Sequence, residues 1–191
     1  VKDGLQANNI ATYAFPNLWD DPQYLSFSDA NNDGIDDIAL FGRISKNNKP
    51  QVKRVDGSDP SNKMTAYTFP DNWQDISFHR LPDLNFDDQD DWGLFGIRRD
   101  DGRPQLLIKS ATDHTGVIRL YAWSGNMQNA QFYQLSDMNA DGIREFGAGG
   151  YRGHSNRHQL LVKDGSDRNI TLANYSWPNN WNEVSLHVLV D

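Results

Sequence analysis

The chain has 191 residues, a net charge of -8, no cysteine and 12% aromatic residues. This length accommodates a domain with a substantial core, and the lack of cysteine excludes disulfides and thiol chemistry. The acidic balance argues against nucleic acid as a partner, and no run of 18 apolar residues is present to span a membrane.

In chain order, the first informative stretch is Asp29-Ala30-Asn31-Asn32-Asp33-Gly34-Ile35-Asp36-Asp37. It places oxygen-bearing side chains at positions 1, 3, 5 and 9 and a glycine at position 6. A hard cation such as Ca²⁺ needs six to eight oxygens, and this spacing supplies them from one short loop. Four short strands are then expected. Gln51–Val55 ends at the turn signal Asp56-Gly57. Met64–Phe69 alternates until Pro70 stops it. Ile76–Leu81 runs into a second acidic loop, Asp83–Asp91, and Trp92–Ile97 follows it. A third acidic loop is Asp137–Glu145.

The loops begin at Asp29, Asp83 and Asp137, an interval of 54 residues, and the terminal Asp191 continues the series. The period extends to Tyr13, Tyr67, Tyr121 and Tyr175, to Phe15, Phe69, Trp123 and Trp177, and to Gly42, Gly96 and Gly150. No helical period is sustained anywhere. The expected fold is all-β: β-propeller-type tandem blades of four antiparallel strands, about 54 residues per repeat. Residues 1–191 are read as a single repeat domain.

Three loops of the form D-x-N-x-D-x-x-x-[DE], with Phe41-Gly42 and Phe95-Gly96 after the first two, resemble FG-GAP/VCBS-type repeats, the calcium-binding blades also found in integrin α-subunits. In the third repeat the pair is Gly149-Gly150. The resemblance implies that the strand before each acidic loop is innermost. Outward from it come the strand after the loop, the Gln-Val-Lys strand and the Tyr-x-Phe-Pro strand. In that frame the chain starts in a third strand and ends in a first one. It is then expected to hold three complete repeats with partial ones at both ends, and to be a piece of a larger propeller or to associate through open blade ends.

The side-chain ligands expected are Asp29, Asn31, Asp33 and Asp37; Asp83, Asn85, Asp87 and Asp91; and Asp137, Asn139, Asp141 and Glu145. The carbonyls of Ile35, Gln89 and Ile143 join them at position 7. About three Ca²⁺ ions would bring the net charge from -8 to about -2. In the second loop Asp88 replaces glycine at position 6. If that position is left-handed, a side chain there is costly, and the second site is expected to be the weakest. Zn²⁺ is disfavoured because the loops offer neither Cys nor His.

The periodic Tyr and Phe are read as packing between neighbouring repeats. Trp19, Trp73 and Trp181 are placed in loops, either capping a blade edge or offering a stacking face to sugar rings. Gly42, Gly96 and Gly150 are read as sites of a bulge or of close backbone approach. No nucleophile elbow is present, and the 54-residue period accounts for the paired carboxylates without catalysis. The expected role is therefore non-enzymatic, and the resemblance implies an extracellular or cell-surface module for interaction or adhesion, with structural calcium. The alternative is a carbohydrate-binding module, and the protein or glycan ligand stays unidentified.

Overall fold

The computed structural model describes residues 12–14, 18–113, 116–125, 127–153 and 155–178. These form twelve strands and no helix, so nothing among them is a helix long and apolar enough to cross a membrane. Three four-stranded sheets follow one another along the chain, each a simple meander. The first holds β1 (Trp19–Phe27), β2 (Asp37–Ile44), β3 (Lys49–Val55) and β4 (Lys63–Thr68). The second holds β5 (Trp73–Leu81), β6 (Asp91–Arg98), β7 (Pro104–Lys109) and β8 (Val117–Ala122). The third holds β9 (Met127–Gln134), β10 (Phe146–Arg152), β11 (Arg157–Lys163) and β12 (Thr171–Trp177). Within each sheet the spatial order equals the chain order. The strand before each acidic loop is therefore at one edge, and the Tyr-bearing strand is at the other.

The repeat is written into the backbone more faithfully than into the side chains. Every left-handed residue among the described ones falls on one of four repeat positions. The first position comprises Asp21, Asp75 and Asn129, with φ of 48°, 49° and 50°. In the first sheet the pairing of Asp20 with Arg43 jumps to Gln23 with Phe41, so two residues face Gly42 alone. In the third sheet the jump from Gly149 to Tyr151 leaves Gly150 facing two residues of β9. Both are β-bulges. A side chain opposite them would collide: a Cβ at Gly42 would lie 2.6 Å from the Trp19 ring, and one at Gly150 would lie 2.8 Å from the Gln128 carbonyl. The expected bulge and close approach at these glycines are thus present.

The bulge also moves two tryptophans. Trp19 and Trp73 do not lie in loops, as expected; they open β1 and β5. The bulge lets the strand continue past Asp21 and Asp75, so pairing reaches further from the acidic loop than simple alternation indicated. Trp181 lies outside the described residues, as do Phe15 and Asp191.

The chain divides into two compact units. One gathers the described residues of Val1–Asp71 with Phe78–Gly93 and Lys109–Ile118. In it the Phe41 and Phe78 rings stack at 4.9 Å, and Phe78 meets Trp92 edge-on at 6.3 Å. The other gathers Asn72–Ser77, Leu94–Ile108 and the described residues of Arg119–Asp191. There Phe95 lies 5.7 Å from Phe132, and Phe132 lies 5.8 Å from Phe146. These are the same contacts one repeat on, and all of these rings are buried except Phe132, which is half-buried. Two hydroxyls confirm the phase. Tyr13 donates to the Gly57 carbonyl at 2.6 Å, and Tyr121 donates to the Gly165 carbonyl at 2.7 Å.

Candidate metal centre

Each acidic loop joins the first two strands of its sheet, and all three fold alike. Positions 4 and 6 are left-handed in every loop: Asn32 and Gly34, Phe86 and Asp88, Ala140 and Gly142. These kinks curl the segment so that alternate side chains turn inward. Four hydrogen bonds then recur. The position-6 amide donates to the position-1 carboxylate, at 2.6 Å for Gly34 to Asp29, 2.7 Å for Asp88 to Asp83 and 2.8 Å for Gly142 to Asp137. The amides of Ile35, Gln89 and Ile143 donate to Asp33, Asp87 and Asp141 at 2.8, 3.0 and 2.8 Å. The side-chain amides of Asn31, Asn85 and Asn139 donate to the same three carboxylates at 3.1, 3.0 and 3.2 Å. The position-2 amide of each loop donates to its position-9 acid, namely Ala30 to Asp37, Leu84 to Asp91 and Met138 to Glu145.

The structure therefore brings positions 1, 3 and 5 into one tight turn and holds position 9 beneath it. Asp37, Asp91 and Glu145 are fully buried, while the other loop acids are nearer the surface. No group of three or more His, Cys, Asp or Glu side chains among the described residues converges in a metal-holding arrangement. The carboxylates are turned instead towards the amides of their own loops. For Ile35, Gln89 and Ile143 the geometry that stands out is the amide, bonded to the position-5 acid.

Two oxygens are left over. Asp29 Oδ1 and Asp91 Oδ1 are buried and accept no hydrogen bond. A buried carboxylate oxygen without a partner costs free energy, and a hard cation relieves it. The donor set in and around the loops is carboxylate, carboxamide, hydroxyl and carbonyl oxygen. It fits an oxygen-seeking divalent ion of Ca²⁺ type.

A second loop reaches each site from outside the D-x-N-x-D spacing. After β3 and β11 come Asp56-Gly57-Ser58-Asp59 and Asp164-Gly165-Ser166-Asp167, in phase with each other. Asn31 donates to Asp56 at 2.8 Å, and Asn139 donates to Asp164 at 3.0 Å. Ser58 donates to Asp33 at 2.6 Å. The second repeat has Ser110 here, donating to Asp87 at 3.0 Å, with Thr112 bonded to the same oxygen.

These contacts set the protonation of the loop acids. The Ser58 hydroxyl, with the Ile35 amide, holds Asp33 below the usual carboxylate range. Ser58 also brings Asp56 down to about 2, and Ser166 lowers Asp141. At Asp87 burial pushes upward, but the Thr112, Asn85 and Ser110 bonds outweigh it. Asp91 goes the other way: burial pushes it up to about 7, and the nearby Asp87, Asp83 and Asp90 charges add to the rise.

The position-9 acids differ most in what closes over them. Arg54 Nε lies 2.8 Å from Asp37 Oδ2, and both side chains are almost wholly buried. The same guanidinium donates to the Ser28 carbonyl and, at 3.1 Å, to Gln89 Oε1. The Gly57 amide reaches Asp37 Oδ1 at 3.3 Å, and the Gly165 amide reaches Glu145 Oε2 at 2.8 Å. The corresponding residue of the second repeat is Ala111, which is buried. A Cβ at Gly57 would lie 1.9 Å from the Asp36 carbonyl, and one at Gly165 would lie 2.0 Å from the Arg144 carbonyl. The closing approach seen in the first and third repeats thus has no room for a methyl group, which gives the physical reason that Asp91 Oδ1 goes without a donor.

Trp19 and Trp73 differ in exposure. Trp73 is 1% exposed, with the Arg98 guanidinium 5.3 Å from its ring centre. A ring so buried has no free face for a sugar. Trp19 is half-buried, with Lys53 Nζ 5.5 Å from its ring centre.

A scan against protein-family models matched none, and searches of curated proteins and of solved structures returned no match.

Proposed function

We propose that the chain is a non-enzymatic repeat module of β-propeller type, with calcium held in its acidic loops as a structural staple. Extracellular or cell-surface placement, where calcium is abundant, suits such a staple in a chain without disulfides. Interaction or adhesion is the role that the resemblance to FG-GAP/VCBS repeats implies, with the partner a protein or glycan. One observation carries the reading. Three loops share the same left-handed positions and the same four hydrogen bonds, and in two of them a buried carboxylate oxygen, Asp29 Oδ1 or Asp91 Oδ1, has no partner. Turn formation alone does not call for a buried acid at position 9. An oxygen-seeking cation does.

A cation that binds only the folded state adds about 2.7 kcal/mol per site at 100 times Kd. For a chain of this size that amounts to roughly 5–10 °C of melting temperature per site. Melting in millimolar CaCl2 is therefore expected at least that much higher than melting in EDTA. Identical melts in the two buffers would overturn the proposal.

A further inference from the structure

The three loops share a backbone, but the residue at one position of the third strand differs between the repeats. In the first repeat this is Arg54, and at the same repeat position the other two carry Ile108 and Val162. Arg54 is 1% exposed and its Nε lies 2.8 Å from Asp37 Oδ2. The remaining Asp37 oxygen accepts from the Gly57 amide. A buried carboxylate so met by a fixed guanidinium already has its countercharge; the oxygen this loop leaves without a partner, Asp29 Oδ1, belongs to a half-buried acid at position 1 and not to the buried acid at position 9. In the third repeat both Glu145 oxygens accept backbone amides, from Met138 and Gly165. In the second repeat Asp91 accepts the Leu84 amide on one oxygen and nothing on the other.

We propose that Arg54 is the first loop's own cation, standing where an external ion would otherwise neutralise Asp37, and that the second loop, through Asp91, is the one that calls for a bound divalent ion most strongly. This rests on the calcium reading above and deepens it by making the loops unequal. It also reverses the ranking expected from Asp88. Asp88 takes the same left-handed backbone, with φ of 65°, as Gly34 and Gly142 at this position, so the loop shape needed for an ion is kept. Arg54 further ties the two loops of its unit together. Its guanidinium contacts Gln89, whose side-chain amide donates to the Asp29 carbonyl at 3.3 Å. The internal cation of the first loop is thereby held by a residue of the second.

The test is calcium titration of the whole chain by calorimetry, with native mass spectrometry to count ions. Asp87→Asn is expected to weaken the tightest ion at least tenfold, while Asp33→Asn leaves the count of bound ions unchanged. Arg54→Leu is expected to add one ion, which Asp33→Asn then removes. Loss of an ion on Asp33→Asn with Arg54 intact would overturn the internal-cation assignment, as would a tightest ion untouched by Asp87→Asn. Those two results do not need Arg54→Leu to fold. No bound calcium in the parent chain or in Arg54→Leu, with both folded by circular dichroism, would instead overturn the calcium reading itself.

Discussion

The second and third acidic loops are a near-controlled comparison. Both curl through the same left-handed positions, both make the four recurring hydrogen bonds, and both bury the acid at position 9. They part at one backbone approach. In the third repeat Gly165 lies so close to the Arg144 carbonyl that its amide reaches Glu145. In the second, Ala111 carries a methyl group, and Asp91 keeps an oxygen that nothing satisfies. A loop can thus keep its shape while the hydrogen bonding of its buried acid changes. Shape comes from the φ pattern and the short-range amides. The last hydrogen bond to the acid comes from a residue some twenty positions further on, brought in by the sheet.

The largest effect that sharpens this contrast is a pH dependence. In calcium-free buffer folded Asp91 keeps its proton up to about pH 7, whereas an ordinary carboxyl loses it near pH 4. The folded state therefore binds more protons across that window, and stability falls as pH rises through it. Asp91→Asn is expected to remove this slope, on the order of a few kcal/mol between pH 4.5 and 7.5. Parallel urea-denaturation profiles for the parent and Asp91→Asn would erase the distinction between the loops.

A smaller effect is expected from the glycine itself. Gly165→Ala puts a Cβ 2.0 Å from a backbone oxygen, so the turn must shift and the amide withdraw from Glu145. About 1–3 kcal/mol should be lost, measurable by chemical denaturation. Ala111→Gly in the second repeat should cost far less. Equal costs at the two sites would show that the closing approach is not what separates the loops. The smallest expected effect is Ala140→Gly at position 4. Alanine there has φ of 62°, and relieving it should add up to about 1 kcal/mol. A loss of stability on Ala140→Gly would mean that the Ala140 side chain contributes more than its backbone costs.

Much of the fold was legible because the repeat could be read from residues that do single jobs. Asp29, Asp83 and Asp137 mark the loops and Tyr67 and Tyr121 mark the last strands, while the order of strands within a sheet came from the resemblance to FG-GAP/VCBS repeats and agrees with the sheets observed. Asp88 as a left-handed residue was legible for the same reason, since glycine stands at that position in the other repeats. The bulges were not legible. Asp21, Asp75 and Asn129 carry no apolar or glycine signal, and the kink shows only where Gly42 or Gly150 faces two residues across the sheet. Placing Trp19 and Trp73 in loops followed from that omission.

At the site, the loop acids were evident from spacing, but the residues that distinguish the loops lie on another strand. Asp56 and Asp164 could have been found, because the Asp-Gly-Ser-Asp turns repeat in phase. Arg54 could not. It breaks the period, and only the register of β2 with β3, which sets Ile38 against Val55 and Ala39 against Arg54, brings it to Asp37.

The tyrosine that donates to a glycine carbonyl carries a last consequence. Tyr13 and Gly57 are 44 residues apart, as are Tyr121 and Gly165. In both cases the hydroxyl comes from the end of one repeat and the carbonyl from the middle of the next. Such a bond cannot form inside a repeat excised at its sheet boundaries, and the Gly165 carbonyl would then lose both Tyr121 and Arg119 as donors. Assembly is in this sense directional: in the first and third repeats a glycine carbonyl of the repeat is met by a tyrosine from earlier in the chain. Trimming, permuting or grafting these repeats should therefore cut at the acidic loops and leave the junctions between sheets whole.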